Sequence, residues 1–520
     1  MRTYQRTCVA VSDDGIHWTK PQLGLIKDPL TGSYANNLVW PPNYRDPDSP
    51  CAYCEGLTCP CPFTSMAFHE TGTVFVDTAP GVPASQKYKM ICNAEHPKHK
   101  NQTGVYALAS PDGFGNWTFM SELPRLVSSD TCNVGFYDER YREYVMYVRW
   151  DNAPCQDYTN KSCHPGILGR SVARVTAKTL GGEWSERQLT GLALTDKLHA
   201  EYDVYVNMAT QYEGVYVFFP SIYYHFSGKP TSSPNGLPND GLWDTRLAVS
   251  RDGKRITAPG GTQRLARYAS SMWVEHGVNA CPTVGSVDHA GGWCSYKDTS
   301  FAHTAWDTSM TAVLSGYFLS ADGNELYFYK WGSAMTHQGG HQAATWSNNT
   351  NGSIPNTGIE LLTLRRDGFV SVDAPLLESP GFGHPGEQTV KYPGNVGEVP
   401  TLTTALPMLV PSCHATGAAA RLFVNVQSSM VGSVYFEMRV SGASGGADEV
   451  GLKLSYSPIP GFTLQESDFL KGNYIDKAVS WGGGKRLGLP AAVTGRNVSV
   501  RVAMNDASLY SLEVRCAPAP

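Results

Sequence analysis

Short apolar runs broken by Gly, Asp, Pro and Ser fill almost the whole chain. Five of these runs (CVAV, VYALA, RLAV, GYFL and ELLTL) end at a small polar phrase. The phrase is Ser12-Asp13-Asp14-Gly15, Ser110-Pro111-Asp112-Gly113, Ser250-Arg251-Asp252-Gly253 and Ser320-Ala321-Asp322-Gly323, with a looser Arg366-Asp367-Gly368. Asp-Gly between apolar runs predicts a hairpin turn, because glycine tolerates the positive φ such turns require. A second pattern runs aspartate, short strand, polar turn, apolar strand. It occurs from Asp130 to Trp150, Asp203 to Pro220 and Asp307 to Trp331, and again from His69 to Cys92 with His-Glu in place of the opening aspartate. Recurring units of this kind predict repeated antiparallel sheets, as in a propeller. From about Thr401 the pattern changes: LFVNVQ, SVYFEMRV, LKLSYSP, VSVRVAM and YSLEVRC alternate as strands of a sandwich.

Composition agrees. The chain has 520 residues, more than one ordinary domain, with 52 Gly, 34 Pro, 11% aromatic and 17% charged residues. The fold class expected is all-β. A net charge of −5 without a basic run gives no electrostatic footprint for nucleic acid. No apolar stretch approaches the roughly 20 residues of a membrane helix. No GxSxG elbow, Walker loop or dinucleotide fingerprint is evident in the strand-to-helix setting that each requires, so acyl transfer, phosphoryl transfer and hydride chemistry lack support.

Thirteen cysteines, together with sequons at Asn101, Asn116, Asn160, Asn348, Asn351 and Asn497, favour an oxidising, secretory history. The N-terminus carries no apolar signal region, and the chain is expected to begin within a blade. Cys51, Cys54, Cys59 and Cys61 fit no common zinc spacing and are expected to staple an insertion at about 41–65 by disulfides. Cys155 with Cys163, and Cys281 with Cys294, are each placed to close a short loop, and Cys413 with Cys516 to pin the ends of the C-terminal region.

In a propeller the first strand of each blade lines the central channel, so residues at its start converge at one mouth. Asp130, Asp203 and Asp307 hold that position in three repeats, and aligning Asp77 on Asp138 sets His69 opposite Asp130. Crowded carboxylates push their pKa values apart, which lets one serve as acid and another as base or nucleophile.

The blocks SDDGIHWTKPQLGLI, ANNLVW, VFVDTAP, QKYKMIC, SSDTCNVGFYDERYREYVMYVR, DTRLAVSRDG, TLRRDGFVSVDAP and SPIPGF resemble a poorly characterised group of secreted five-bladed propeller proteins. That group is similar to the invertase/levanase and arabinanase superfamily of glycoside hydrolases. The resemblance implies a five-bladed β-propeller over 1–400, incomplete in its first blade, followed by a β-sandwich over 401–520. It further implies three acids at the channel mouth, for which Asp130, Asp203 and Asp307 are the best matches. The invertase-type Trp-Met-Asn-Asp-Pro-Asn-Gly motif and a Glu-Cys acid motif are absent, and Tyr44-Arg45-Asp46-Pro47 lies in the cysteine-rich insertion.

Glu275, flanked by Trp273 and His276, is a fourth candidate acid, with the Trp placed to stack on a sugar ring. Arg149, Asp244, His303, Trp306 and His341 are candidate residues for gripping substrate hydroxyls. The expected activity is hydrolysis of a polysaccharide or glycan through an oxocarbenium-like transition state. Carboxylates about 5–5.5 Å apart would give retention and about 6.5–9.5 Å inversion. The chemistry requires no cofactor and the sequence holds no HExxH pattern, though a structural calcium or sodium ion in the channel is compatible with it. The rival expectation is a non-catalytic carbohydrate-binding or cell-surface propeller module.

Overall fold

The computed structural model describes residues 7–28, 31–40, 71–95, 103–121, 129, 133–151, 170–190, 192, 202–225, 241–258, 272–274, 307, 309–333, 337, 357–374, 401–404, 407–414, 417–441 and 456–518. Among these the structure is almost all β, with two single 3-10 turns at Ala84–Gln86 and Ala491–Val493. The chain divides into two compact units, 1–318 with 327–363 and 319–326 with 364–520.

The first unit is built from antiparallel meanders. In the first sheet Thr71–Val76, Tyr88–Glu95, Thr103–Ser110 and Thr118–Phe119 pair in chain order. The second sheet does the same with Val134–Asp138, Glu143–Asp151, Arg170–Ala177 and Gln188–Leu189. A third meander joins Tyr202–Tyr212, Val215–His225 and a third strand whose two parts, Gly241–Arg246 and Ala248–Ser250, both pair with the second, and Thr257 bridges Val249 at the start of a fourth. One parallel pair, Trp243 with Met310, ties it to a fourth meander containing Met310–Val313 and Glu325–Ser333. Four-stranded meanders of this size are the form a propeller blade takes.

The four polar phrases form one side-chain device. Ser12, Ser110, Ser250 and Ser320 each donate a hydroxyl hydrogen bond of 2.6–3.0 Å to the aspartate two residues on. Each aspartate then accepts the backbone amide of the residue two further along. Gly15, Gly113, Gly253 and Gly323 all have φ between +68° and +77°, as the Asp-Gly signal predicts. At Asp112 and Asp252 burial alone would raise the pKa, but the amide and hydroxyl donors outweigh it and hold both carboxyls below their ordinary value. The Ser110 and Ser250 copies join a third strand to a fourth; the Ser320 copy lies earlier in its meander, between first and second. In the looser copy Asp367, rather than Gly368, takes the positive φ.

Gly253 is also tightly enclosed: a Cβ there would lie 2.8 Å from Tyr147 Oη and 2.9 Å from Tyr216 Cε1. At Gly323, which has a similar φ, a Cβ would meet nothing within 4 Å. Gly323→Ala should therefore cost only the backbone strain, about 1–2 kcal/mol, and Gly253→Ala a further 1–3 kcal/mol or so for overpacking. Urea unfolding of the two variants tests the difference, and equal losses would refute it.

Each sheet of the first unit packs on the next through an apolar layer and a buried polar latch. Tyr144 of the second sheet donates to Asp77 of the first at 2.8 Å, and Tyr216 of the third donates to Asp138 of the second. Asp77 and Asp138 thus do the same job in successive repeats, in keeping with their sequence alignment. Burial, with a carboxylate behind each phenol, pushes both tyrosines well above their ordinary pKa. The third and fourth meanders meet at Phe219 on Phe328, 5.5 Å between rings, and at Thr245 Oγ1 on the Thr311 carbonyl, 2.7 Å. Residues 7–40 complete the circuit. Trp18 stacks edge-on against Tyr329 of the fourth meander at 5.4 Å, and the Tyr329 hydroxyl bonds the Gly15 carbonyl. On its other side Val39 packs against Met90, Leu108 and Trp117 of the first sheet.

In the second unit, LFVNVQ and SVYFEMRV are two halves of one strand, Ala418–Ser441, kinked by bulges near Asn425 and Ser428. VSVRVAM and YSLEVRC are likewise parts of Asn497–Pro518, and the two long strands pair antiparallel from Ala418 with Pro518 to Val440 with Val498. Val372–Ala374, Thr401–Thr403 and Met408–Leu409 add to the second strand, so this sheet takes in residues well ahead of 401. Leu422, Phe436, Met438, Trp481 and Val500 lie in its core, and the Trp481 indole donates to the Phe436 carbonyl at 2.9 Å. Cys413 and Cys516 are disulfide-bonded across 103 residues of sequence, as their bracketing positions suggest. Closing a loop of that length stabilises by roughly 4–5 kcal/mol in the chain-entropy model. Reduction, or Cys413→Ser with Cys516→Ser, should lower the unfolding midpoint of this unit by a corresponding amount in a thermal scan. The cysteines at 51, 54, 59, 61, 155, 163, 281 and 294 lie outside the described residues.

Candidate functional site

The first unit gathers polar and aromatic groups where the leading strands of its sheets begin. Across the third meander Asp203 stands opposite Tyr223, Tyr223 opposite Trp243, and Trp243 beside Met310. Directly opposed residues share a face of a sheet, so this row looks one way. Asp244 pairs with Ile222 and looks the other way, because side chains alternate along a strand. Tyr205 sits in a bulge between Val204 and Val206, which turns its ring onto the Tyr223–Trp243 row.

Tyr205 is the centre of the cluster. Its ring stacks on Trp243 at 5.0 Å and 21° and lies 5.1 Å from Tyr223. Its hydroxyl meets His337 Nε2 at 2.6 Å, and the His337 ring lies 5.2 Å from Tyr223. Trp331 of the fourth meander closes on Trp243 at 5.9 Å. From the second sheet two guanidiniums reach the same tyrosine: Arg149 at 4.7 Å and Arg170 at 5.1 Å from its ring centre. Tyr205, Trp331 and His337 keep part of their surface exposed, whereas Tyr223 is fully buried. The second sheet and the third and fourth meanders thus supply one aromatic and cationic cluster.

The carboxylates in this region are each paired with a cation. Asp203, 3% exposed, accepts the Arg170 backbone amide on Oδ1 at 3.0 Å and its Nη1 on Oδ2 at 2.7 Å. Asp244 and Arg246 form a two-bonded pair at 2.8 and 2.7 Å within one strand. Asp307, three residues before the strand Met310–Val313, takes Lys330 Nζ at 2.7 Å. The same ammonium reaches Glu360 at 2.6 Å. Burial draws the Lys330 pKa down, but the hydrogen bonds and charges of Asp307 and Glu360 outweigh it and hold it above the ordinary lysine value.

Of the residues singled out by sequence, the structure places Asp203 and Arg149 in the Tyr205 cluster and describes Asp244 and Asp307 in their own ion pairs. Asp130, Glu275, His276, His303, Trp306 and His341 lie outside the described residues, as does the side chain of Trp273. Sequence reasoning passed over Arg170, Tyr205, Trp243 and His337. The signal for Tyr205 was present, since it follows Asp203 by two residues in a strand. His337 comes from a separate stretch and had no such signal. Among the described residues no group of three His, Cys, Asp or Glu side chains is placed to hold a metal ion.

No known family profile matches the chain, and no curated protein matches it. Solved structures give distant likenesses. A thermostable family-43 glycoside hydrolase aligns with 56% of this chain and 69% of its own, at 12% identity and a TM-score of 0.28. The α-L-arabinanase of Penicillium chrysogenum, complexed with arabinobiose, aligns over 57% and 77% at 10% identity and 0.28. The α-L-arabinofuranosidase of Fusarium graminearum aligns over 59% and 80% at 12% identity and 0.28. At these values the likenesses fix neither fold nor chemistry.

Proposed function

We propose that the first unit is a five-bladed β-propeller, that the C-terminal sheet belongs to a β-sandwich accessory domain, and that the protein hydrolyses glycosidic bonds in a polysaccharide or glycan. The blade count is supported by the circuit of contacts: four meanders and the segment 7–40, each touching two neighbours, with Tyr329 returning to Gly15. The observation that carries the functional reading is the position of Asp203. It stands at the start of a leading strand, beside an aromatic cluster of the kind that stacks on sugar rings. In this reading Asp203, Asp130, Asp307 and Glu275 supply the acid, base or nucleophile, and Arg149 binds substrate. Trp273, His276, His303, Trp306 and His341 are its further subsite residues, whereas Asp244, whose side chain looks to the other side of the third meander, is left out of the site. An oxidising, secreted setting is supported by the Cys413–Cys516 bond and by the exposed sequons at Asn116 and Asn497.

One observation favours a second reading, a carbohydrate-binding module without catalysis. Asp203, Asp244 and Asp307 each hold a buried cation, and such pairs also serve purely to build a fold. Reducing-sugar release from a broad polysaccharide panel, using protein made through a secretory route, decides between them. Release from one substrate class supports hydrolysis. Binding to a polysaccharide without release supports the module.

A further inference from the structure

Of the four Ser-x-Asp-Gly turns, only one also holds an N-glycosylation sequon. It is the turn between the third and fourth strands of the first sheet, where Asn116-Trp117-Thr118 follows Phe114 and Gly115. Asn116 is exposed and takes a φ of +52°, so it sits where the chain reverses. Phe114 keeps 37% of its surface in water, although Trp117 just beyond is buried in one apolar cluster with Met90 and Leu108. A Cβ on Gly115 would lie 3.6 Å from Leu25 Cδ1, and Leu25 is itself half exposed. The sequon asparagine thus follows a stretch that presents an exposed ring and abuts an exposed aliphatic side chain. Covering such groups removes apolar surface from water and is favourable.

The turn holds these groups in a fixed arrangement. Asp112 Oδ1 accepts the Phe114 and Gly115 amides, each at 2.9 Å, and the Ser110 hydroxyl at 3.0 Å. The Asn116 side chain donates to the same carboxylate. An asparagine amide has two N–H donors, so a sugar on its nitrogen replaces one and the other still serves Asp112. A group attached at Asn116 therefore meets a ring already in place, and little conformational freedom is lost in the contact. The C–H-bearing face of a pyranose is apolar, and an aromatic ring is a suitable surface for it.

We infer that Asn116 is N-glycosylated and that the first N-acetylglucosamine lies across Phe114 and Leu25. In the attachment, the Asn116 amide nitrogen bonds to C1 of an oligosaccharide carried on a polyprenyl pyrophosphate. The bond from C1 to the phosphate oxygen breaks, its electron pair leaves with the pyrophosphate, and the amide releases one proton. This rests on the proposed secreted setting, because the sequon is read on chains that enter the secretory route.

The test uses the wild-type protein secreted from eukaryotic cells, with sequon occupancy read by glycopeptide mass spectrometry. Asn116 should carry a glycan. The contact is then measured by urea unfolding of the wild type and of Phe114→Ala. Each is compared with its glycans trimmed to a single N-acetylglucosamine and with them removed by an amidase that leaves aspartate. Removal should lower the folding equilibrium constant about two- to tenfold more in the wild type than in Phe114→Ala, the size of an aromatic contact. Effects of the new aspartates and of distant sequons cancel in this cycle. Leu25→Ala, at a more exposed position, gives an equivalent cycle should Phe114→Ala fail to fold. Equal effects of removal with and without the apolar partner overturn the inference. A bare Asn116 on secreted protein that is glycosylated at other sequons also overturns it and leaves the secreted setting intact. Protein retained in the cell, without glycan at any sequon and with Cys413 and Cys516 reduced, removes that setting and the inference with it.

Discussion

Lys89→Ala should be the most destabilising single substitution in the first sheet, lowering the free energy of unfolding by about 3–5 kcal/mol. Lys89 Nζ lies 2.8 Å from Asp77 Oδ2, and the two side chains are 1% and 0% exposed. Asp77 also takes the Tyr144 hydroxyl at 2.8 Å and the Ala79 amide at 3.0 Å. Removing the ammonium leaves a buried carboxylate with dipolar partners only, in the layer where the first two sheets meet. Lys89→Met separates the causes, because it restores the aliphatic stem without the charge. It should regain only the packing part of the loss. Adding Asp77→Leu to Lys89→Met should regain most of the remainder, since a buried pair replaced on both sides by apolar groups is often neutral. Urea unfolding followed by tryptophan fluorescence gives the three values. A loss below about 1 kcal/mol for Lys89→Ala would show that water reaches the pair and that it does not hold the sheets together.

Asp203→Asn should abolish hydrolysis, lowering kcat by about 10²–10⁴-fold, the range expected when a positioned acid or base is lost, with a much smaller change in KM. The substitution keeps the shape of the side chain and one acceptor for the Arg170 amide, now 3.0 Å from Oδ1, but removes the charge facing Nη1. A structural role and a chemical role therefore give different signatures. Were Asp203 only an anchor for Arg170, the melting temperature would fall while the turnover of the remaining folded enzyme stayed near wild type. A pH–rate profile adds a second readout, because losing a titrating carboxylate removes one limb of a bell-shaped curve. Asp244→Asn is the comparison. Asp244 faces the opposite side of the same strands, paired with Arg246. A similar loss in both variants would argue for a general loosening of the meander in place of catalysis by Asp203.

Much of the architecture was legible because two-residue alternation and Asp-Gly turns are local signals. The first strands from Val134 and Tyr202 and all four Ser-x-Asp-Gly turns fall where those signals put them. The equivalence of Asp77 and Asp138 was visible as an alignment, although its meaning, a tyrosine latch to the next sheet, needed coordinates. The C-terminal strands were harder. A bulge near Ser428 bends a single strand, and a polar stretch such as Gln427-Ser428-Ser429 looks the same in sequence whether it bends a strand or ends it. The site was legible only in part. Asp203 and Arg149 carry charge at strand ends, but the convergence on Tyr205 of Arg170, Trp243 and His337 depends on register between strands far apart in the chain. Periodicity within one strand holds no record of that.

The bond from Tyr329 to the Gly15 carbonyl spans 314 residues of sequence. On a ribosome adding about 5–20 residues per second, the partner of the Gly15 turn emerges roughly 15–60 s after the turn itself. Throughout that interval the segment 7–40 has one flank unmatched, although the intervening sheets fold within a small fraction of that time. The contact between the Gly15 turn and the fourth meander therefore waits for a residue made 314 positions later. Nascent chains stalled before Tyr329 should hold ordered sheets around an N-terminal segment still open to proteases and chaperones.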